Sequence, residues 1–236
     1  MEIKTYKKDA EYSYTLGAFP TIELLKTRPQ EVLEVYVHST FTDLETIERL
    51  AKPHGIPVLR QDKVINKLSD KENCFVVGIL KKYQDTLQAD KSHIVLVNPS
   101  NMGNMGTIIR TAIGFGIKNL AIICPGVDVF NPKTIRASMG ALFRINCRYF
   151  NSFEEYEAAY PKHEIFCFML NAKQQLTVNN CPKPKLFSLV FGNEATGLDD
   201  SFLTKGTSII IPQSEEVDSL NITIAAGVGM YLFTQS

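Results

Sequence analysis

From His93 onward the chain repeats one texture: short, nearly continuous apolar runs at His93–Asn98, Asn119–Cys124, Ile165–Leu170, Leu186–Phe191 and Ser208–Pro212. Runs this short and unbroken suit strands buried on both faces, as in a parallel sheet covered by helices. Helical spacing fills several of the gaps, at Thr107–Gly116, Pro132–Phe143 and Phe153–Tyr160. Parallel neighbours need crossover connections, so this rhythm predicts an α/β fold with a mostly parallel sheet and helices on both faces. A final helix over about Leu220–Phe233 is apolar nearly all round, and Asp218 or Ser219 stands where a cap belongs.

Residues 1–85 read differently. Apolar runs at Val32–Val37, Pro57–Leu59 and Cys74–Ile79 alternate with a helical pattern at Asp43–Ala51, as in a small mixed α/β domain. The polar stretch Leu80–Ser92 (LKKYQDTLQADKS) has no sustained period and marks the boundary between domains at 1–85 and 92–236.

Composition narrows the function classes. No run approaches the length of a membrane-spanning helix, and Lys4, Lys7 and Lys8 are not followed by an apolar stretch. Neither a membrane anchor nor a secretory signal is therefore expected, and the expected location is the cytoplasm. The five cysteines are widely spaced with no C-x-x-C pair, and the four histidines are scattered. Reduced core thiols and no metal site follow. The 25 Lys/Arg balance 25 Asp/Glu. A nucleic-acid partner must then be met by local patches, a recognised shape or a dimer surface, not by a general basic excess.

Three segments carry chemistry. The first, Asn98-Pro99-Ser100-Asn101-Met102-Gly103-Asn104-Met105-Gly106, runs from a strand into a helix, with Asn104 as the expected N-cap. Gly106, Arg110 and Gly114 stand four apart, so one guanidinium projects between two positions without side chains. A dinucleotide fingerprint would need G-x-G-x-x-G and an acidic residue near the end of the next strand, where Cys124-Pro125 stands instead. In the second segment, Leu189-Val190-Phe191-Gly192-Asn193-Glu194-Ala195-Thr196-Gly197, a buried strand delivers a carboxylate flanked by glycines, which free the backbone to turn and face a ligand. In the third, Ile210-Ile211-Pro212 closes a strand, and a polar loop leads through Asp218, Ser219, Leu220 and Asn221 into a helix whose Ala225, Ala226 and Gly229 allow close packing.

Taken in this order, the three segments resemble the signature motifs of the SpoU/TrmH family of RNA ribose 2′-O-methyltransferases, part of the SPOUT superfamily. The resemblance covers about His93–Phe233, and Asn131–Phe143 looks like the family's helix between the first two motifs. It implies a deep C-terminal trefoil knot, a rare exception to the rule against knotted chains. It also implies a homodimer formed through the knotted domain, and S-adenosylmethionine as methyl donor. Residues 1–85 are similar to the family's ribosomal-protein-like N-terminal domain, which binds substrate RNA.

Carried over position by position, the resemblance makes Asn104, Arg110, Glu194, Ser219 and Asn221 the catalytic set. It puts the cofactor at Gly192, Asn193, Ile211 and Leu220, with Leu170 and Asn171 beside them, and RNA at Lys133, Arg136 and Ser138. The substrate implied is structured RNA, ribosomal ahead of transfer RNA. Two departures stand out: Asn101-Met102-Gly103 duplicates Asn104-Met105-Gly106, and Gln213-Ser214-Glu215 replaces the family's Met-x-Gly. The second leaves open a catalytically silent RNA-binding or ribosome-associated module with the same fold.

Overall fold

In the chain up to Tyr83, the buried segment Val32–Val37 (β2) pairs antiparallel with Val76–Lys81 (β4) and parallel with Val58–Arg60 (β3), while Tyr12–Tyr14 (β1) covers the other edge of β4. The order is β1-β4-β2-β3. Helices Ala18–Thr27 (α1), Leu44–Ala51 (α2) and Asp62–Leu68 (α3) connect these strands. Gly78 in β4 is where α1 comes closest, since a Cβ there would lie 2.9 Å from Thr21 Cγ2.

This computed structural model describes residues 3–69 and 73–235. The chain forms two compact units, one reaching Tyr83 and including Asp128–Arg144, the other comprising Gln84–Val127 and Ile145 onward. The excursion Asp128–Arg144 holds a helix, Pro132–Ala137 (α5), capped by the Asn131 side chain at Lys133 N. The helix expected to run to Phe143 stops short, because Met139 and Gly140 turn left-handed at φ 50° and 80°. A single 3₁₀ turn follows at Ala141–Arg144, and Arg144 pairs with Glu23 of α1.

The second unit is a seven-stranded, wholly parallel sheet. Its strands are His93–Val97 (β5), Asn119–Ile123 (β6), Asn146–Phe150 (β7), Glu164–Phe168 (β8), Gln174–Gln175 (β9), Phe187–Phe191 (β10) and Thr207–Ile210 (β11), in the order β7-β6-β5-β10-β8-β11-β9. Strands β6 and β10 are buried along their whole length, the polar Asn119 and Ser188 included, as their mostly apolar sequences require. Helix Phe153–Ala159 (α6) brings Phe153 and Tyr156 onto Val95, Ala121 and Val190. Met102–Gly114 (α4) and Ile222–Thr234 (α7) pack on each other, and α7 lies so close to the sheet that a Cβ on Gly229 would meet the Phe168 ring at 2.6 Å.

Two caps differ from expectation. Asn101, not Asn104, caps α4, its Oδ1 accepting from Gly103 N at 2.8 Å and Asn104 N at 3.0 Å, so the helix begins earlier. Asn221, not Asp218 or Ser219, caps α7, accepting from Thr223 N at 2.8 Å. In both places the cap is an asparagine whose side-chain oxygen reaches the first-turn amides. Among the described residues no helix is long and apolar enough to cross a membrane, and no group of three or more His, Cys, Asp or Glu is arranged to hold a metal ion.

Candidate functional site

Loops leave a parallel sheet at the carboxyl ends of its strands, where the diverging chain opens a crevice. Here the loops after β8, β10 and β11 and the start of α7 enclose one cavity in the second unit. Its apolar walls are Phe168 and Phe191, stacked with centroids 4.3 Å apart, together with Ile209 and Ile222. Its rim is mostly loop: Leu170, Gly192, Asn193, Glu194, Thr196, Ile211, Gln213, Ser219 and Leu220.

Tight backbone closes the β10 loop. Asn193 N donates to Gly197 O at 3.2 Å and Gly197 N to Asn193 O at 2.9 Å, while Gly197 sits left-handed at φ 68°. A Cβ on Gly192 would come within 2.1 Å of the Gly197 carbonyl carbon, so only glycine lets this turn close. Asn193 then ties the turn to the β5 loop, its Nδ2 donating to Asn98 O at 2.7 Å.

Glu194 joins the first two motifs. Ser100 N and Oγ donate to its Oε2 at 3.0 and 2.8 Å, and Asn101 N donates to Oε1 at 3.1 Å. Asn104 Nδ2 adds a longer contact to Oε1 at 3.4 Å. Burial pushes this carboxyl up, but the hydrogen bonds from Ser100 and Asn101 outweigh it and hold the group below the usual carboxylate range. Glu194 is thus a fixed anion that orders the entry to α4. Ser100 and Gln213 were missed by pattern reasoning: a serine just after a strand is unremarkable in sequence, and Gln213 replaces a motif residue. Gln213 Nε2 donates to Asp218 O at 3.3 Å, bridging the third loop where the family's Met-x-Gly is absent.

Seven of the residues carried over by resemblance line the cavity: Leu170, Gly192, Asn193, Glu194, Ile211, Ser219 and Leu220. Asn104 reaches it only through Glu194. Arg110, Asn171 and Asn221 are not among the lining residues. Asn171 Nδ2 is engaged by Asp200 at 2.8 Å, and the Asn221 Oδ1 is occupied by its capping role. Arg110 is exposed on α4 and makes no hydrogen bond or ion pair among the described residues. In the first unit, Lys133 is exposed and Arg136 half-buried. Ser138 corrects the expectation: it is fully buried and its hydroxyl donates to Ile135 O at 2.7 Å, which leaves it unavailable to RNA.

The glycine turn, the carboxylate bridge and the third loop meet within one stretch of chain, and residues 91–231 match the model of the SpoU rRNA Methylase family. The chain belongs to this family. A tRNA/rRNA methyltransferase of Synechocystis, itself uncharacterised, is 30% identical over 141 residues, which span 58% of this chain and 51% of that protein. A Bacillus subtilis 23S rRNA guanosine 2′-O-methyltransferase is 28% identical over 157 residues, 66% of this chain and 63% of the relative. The chain thus spans only about half to two thirds of these relatives' own length. The AdoMet-bound rRNA methyltransferase of Sinorhizobium meliloti shares the fold, with a TM-score of 0.79 at 23% identity, covering 94% of this chain and 86% of that one. The two gaps in the SpoU pattern noted above fall on residues with other structural duties: Asn101 is the cap, and Gln213 is the loop bridge.

Proposed function

We propose that this SpoU-family chain transfers a methyl group from S-adenosylmethionine to a ribose 2′-hydroxyl of structured RNA, ribosomal RNA ahead of transfer RNA. The observation that carries the reading is the cavity at the carboxyl ends of β8, β10 and β11, where motif residues Gly192, Ile211 and Leu220 share one rim. Its lining suits the donor. Phe168, Phe191, Ile209 and Ile222 offer an apolar slot for an adenosyl group, and Gly192 and the Ile211 and Leu220 loops line it beside them. The bound donor would supply an electrophilic methyl on a sulfonium.

The chain's own task is to align the attacking hydroxyl, whose proton passes to water as the methyl leaves sulfur, and alignment is the larger demand. A guanidinium offers donors and a fixed positive charge but no acceptor, so Arg110 is assigned to binding and charge stabilisation. It binds a phosphate next to the target ribose and stabilises the developing alkoxide, while Ser219 orients the ribose at the cavity mouth. Glu194 acts through others, holding Ser100, Asn101 and Asn104 so that α4 presents Arg110 at a fixed angle.

The same proposal includes the trefoil knot, a homodimer through this unit, cytoplasmic location, and RNA contacts from the 1–85 domain with Lys133 and Arg136. The chain path supports the knot: β11 lies beyond β8, and the chain then returns to α7, packed on α4 and β10. Ile224 and Tyr231, seven apart on α7, are half exposed and support a second copy on that face. Such pairing would bring Arg110, which stands outside the cavity wall of its own chain, toward the cavity of a copy.

Incubating the protein with labelled S-adenosylmethionine and total RNA, followed by nucleoside mass spectrometry, tests the activity. A 2′-O-methylated nucleoside is expected, and an RNA with a 2′-deoxy target should be inert. Label on a base, or on the deoxy RNA, would reject ribose transfer.

A further inference from the structure

The unit built on β1–β4 contains a second cavity that none of the chemistry above uses. Glu34 and Tyr36 of β2 and Leu59 of β3 lie on its sheet side, Tyr36 paired in register with Leu59. Lys63, Val64 and Lys67 of α3 border it, and its volume of about 410 Å³ is within the usual range for small-molecule sites. Tyr36 is buried, with Leu59 and Val64 half-buried. The lining is therefore apolar on the inside and cationic at the lip, where Lys63 and Lys67 are exposed, four apart on one helical face, and free of ion pairs among the described residues.

Glu34 is the anomaly. Its Oε1 is shut off from solvent and has no hydrogen-bond partner. A buried oxygen of a carboxylate left without a donor costs free energy that folding alone has no reason to spend. Its neighbour cannot relieve it from both sides: the Tyr36 phenol, pushed up to about 12 by burial and by its interaction with Glu34, stays a neutral hydroxyl with a single hydrogen. The cavity thus sets beside its apolar wall a carboxylate one oxygen of which lacks a donor and is reached only as an occupant displaces the packing over it, with two cations at the opening.

We propose that this cavity takes one unstacked guanine nucleotide of single-stranded RNA, with Glu34 accepting from the base edge and Lys63 and Lys67 meeting the adjoining phosphates. A carboxylate only accepts, and guanine alone among the four bases sets two donors side by side, N1–H and the N2 amino group, on its Watson–Crick edge. Uracil flanks its N3–H with two carbonyls, and adenine and cytosine each place an acceptor beside the amino group, so all three would set a lone pair against Glu34. The inference deepens the RNA reading above and rests on it, but its site is separate from the methyl-transfer cavity.

Fluorescence anisotropy of the full chain with labelled short uridine oligomers tests it: one all uridine, one with a single central guanosine, and one with inosine there, which lacks the N2 amino group. The guanosine oligomer should bind about tenfold more tightly than the all-uridine one, with inosine between them. Glu34→Gln should erase the preference, and Lys63→Ala with Lys67→Ala should weaken all three oligomers while keeping their order. Equal binding of the three by the natural chain, or a preference that survives Glu34→Gln, would overturn the assignment. If Glu34→Gln does not fold, the paired lysine substitution decides by itself: weakening supports the site and unchanged binding rejects it. None of these readouts uses methyl transfer, so a failure here leaves the transferase reading standing, and the reverse.

Discussion

The same strands end in opposite ways. At the amino ends of β5 and β10, His93, Tyr156, Ser188 and His163 form an unbroken buried chain: His93 Nδ1 to Tyr156 OH at 2.9 Å, Tyr156 OH to Ser188 Oγ at 2.5 Å, and Ser188 Oγ to His163 Nδ1 at 2.8 Å. His93 Nε2 donates to the Gln88 carbonyl at 3.0 Å, so its Nδ1 accepts from Tyr156, Tyr156 accepts from Ser188, and Ser188 accepts from His163 Nδ1. At the carboxyl ends the polar groups are loops, glycine backbone, a bridging carboxylate and an arginine with no partner among the described residues. Counting ionisable residues would have favoured the histidine end as the site. What separates the two ends is free valence: in one the hydroxyls and imidazoles are spent on one another, and in the other backbone and side chains remain open to a ligand.

The largest effect that sharpens this contrast is on Arg110. Arg110→Ala should lower methyl transfer by roughly 10²–10³-fold, the scale of losing one group that stabilises developing charge. Melting temperature and S-adenosylmethionine affinity should stay unchanged, because the side chain holds nothing within its own chain. A loss of cofactor affinity equal to the loss of rate would break the assignment.

Next comes acid. Burial drives the His93 imidazole down to about 4 from its usual 6.5, against the pull of the Gln88 carbonyl, and burial lowers His163 as well. Between these values the unfolded chain binds more protons than the folded one, so stability is full above about pH 6.5 and falls as the pH drops toward 4. For His93 the loss is on the order of 3 kcal/mol. Glu194 acts in the same direction in a lower window, below its ordinary 4.5, because its folded value is depressed. Denaturant titrations across pH should therefore show the closed end failing first. Stability that is flat between pH 6.5 and 4.5 would contradict the account of His93.

Tyr156→Phe removes the hydroxyl that links His93 to Ser188 and should cost about 1–3 kcal/mol in unfolding free energy, while each folded molecule keeps its transfer rate. Glu194→Gln should do the reverse. The amide keeps the shape but presents one acceptor oxygen to donors that now meet two, so transfer should fall about tenfold with the melting point nearly unchanged. A stability loss in Glu194→Gln matching that of Tyr156→Phe would erase the distinction between the ends.

Much of the second unit was legible in its sequence because largely buried strands leave a dense apolar signature: β5, β6, β8, β10 and β11 each overlap a nearly continuous apolar run. Strand β7 was not, since Arg148 and Tyr149 interrupt its apolar pattern with exposed positions. Short local elements were also hidden. Neither the three-residue β1 nor helix α1, with its inward Thr21, shows a periodicity that stands out from loop. The cavity rim followed from motif order, but the caps did not, because Asn101 and Asn104 are equivalent until the backbone shows which amides lack partners. The bridge from Glu194 to Ser100 joins residues 94 apart, a pairing that no local pattern contains.

Calorimetric titration of S-adenosylmethionine into the natural chain, Arg110→Ala and Gly192→Ala tests the site most directly. The account predicts saturable binding to the first two and its loss in the third, where a Cβ has no room against Gly197. Undiminished binding by Gly192→Ala, or none by the natural chain, would contradict it.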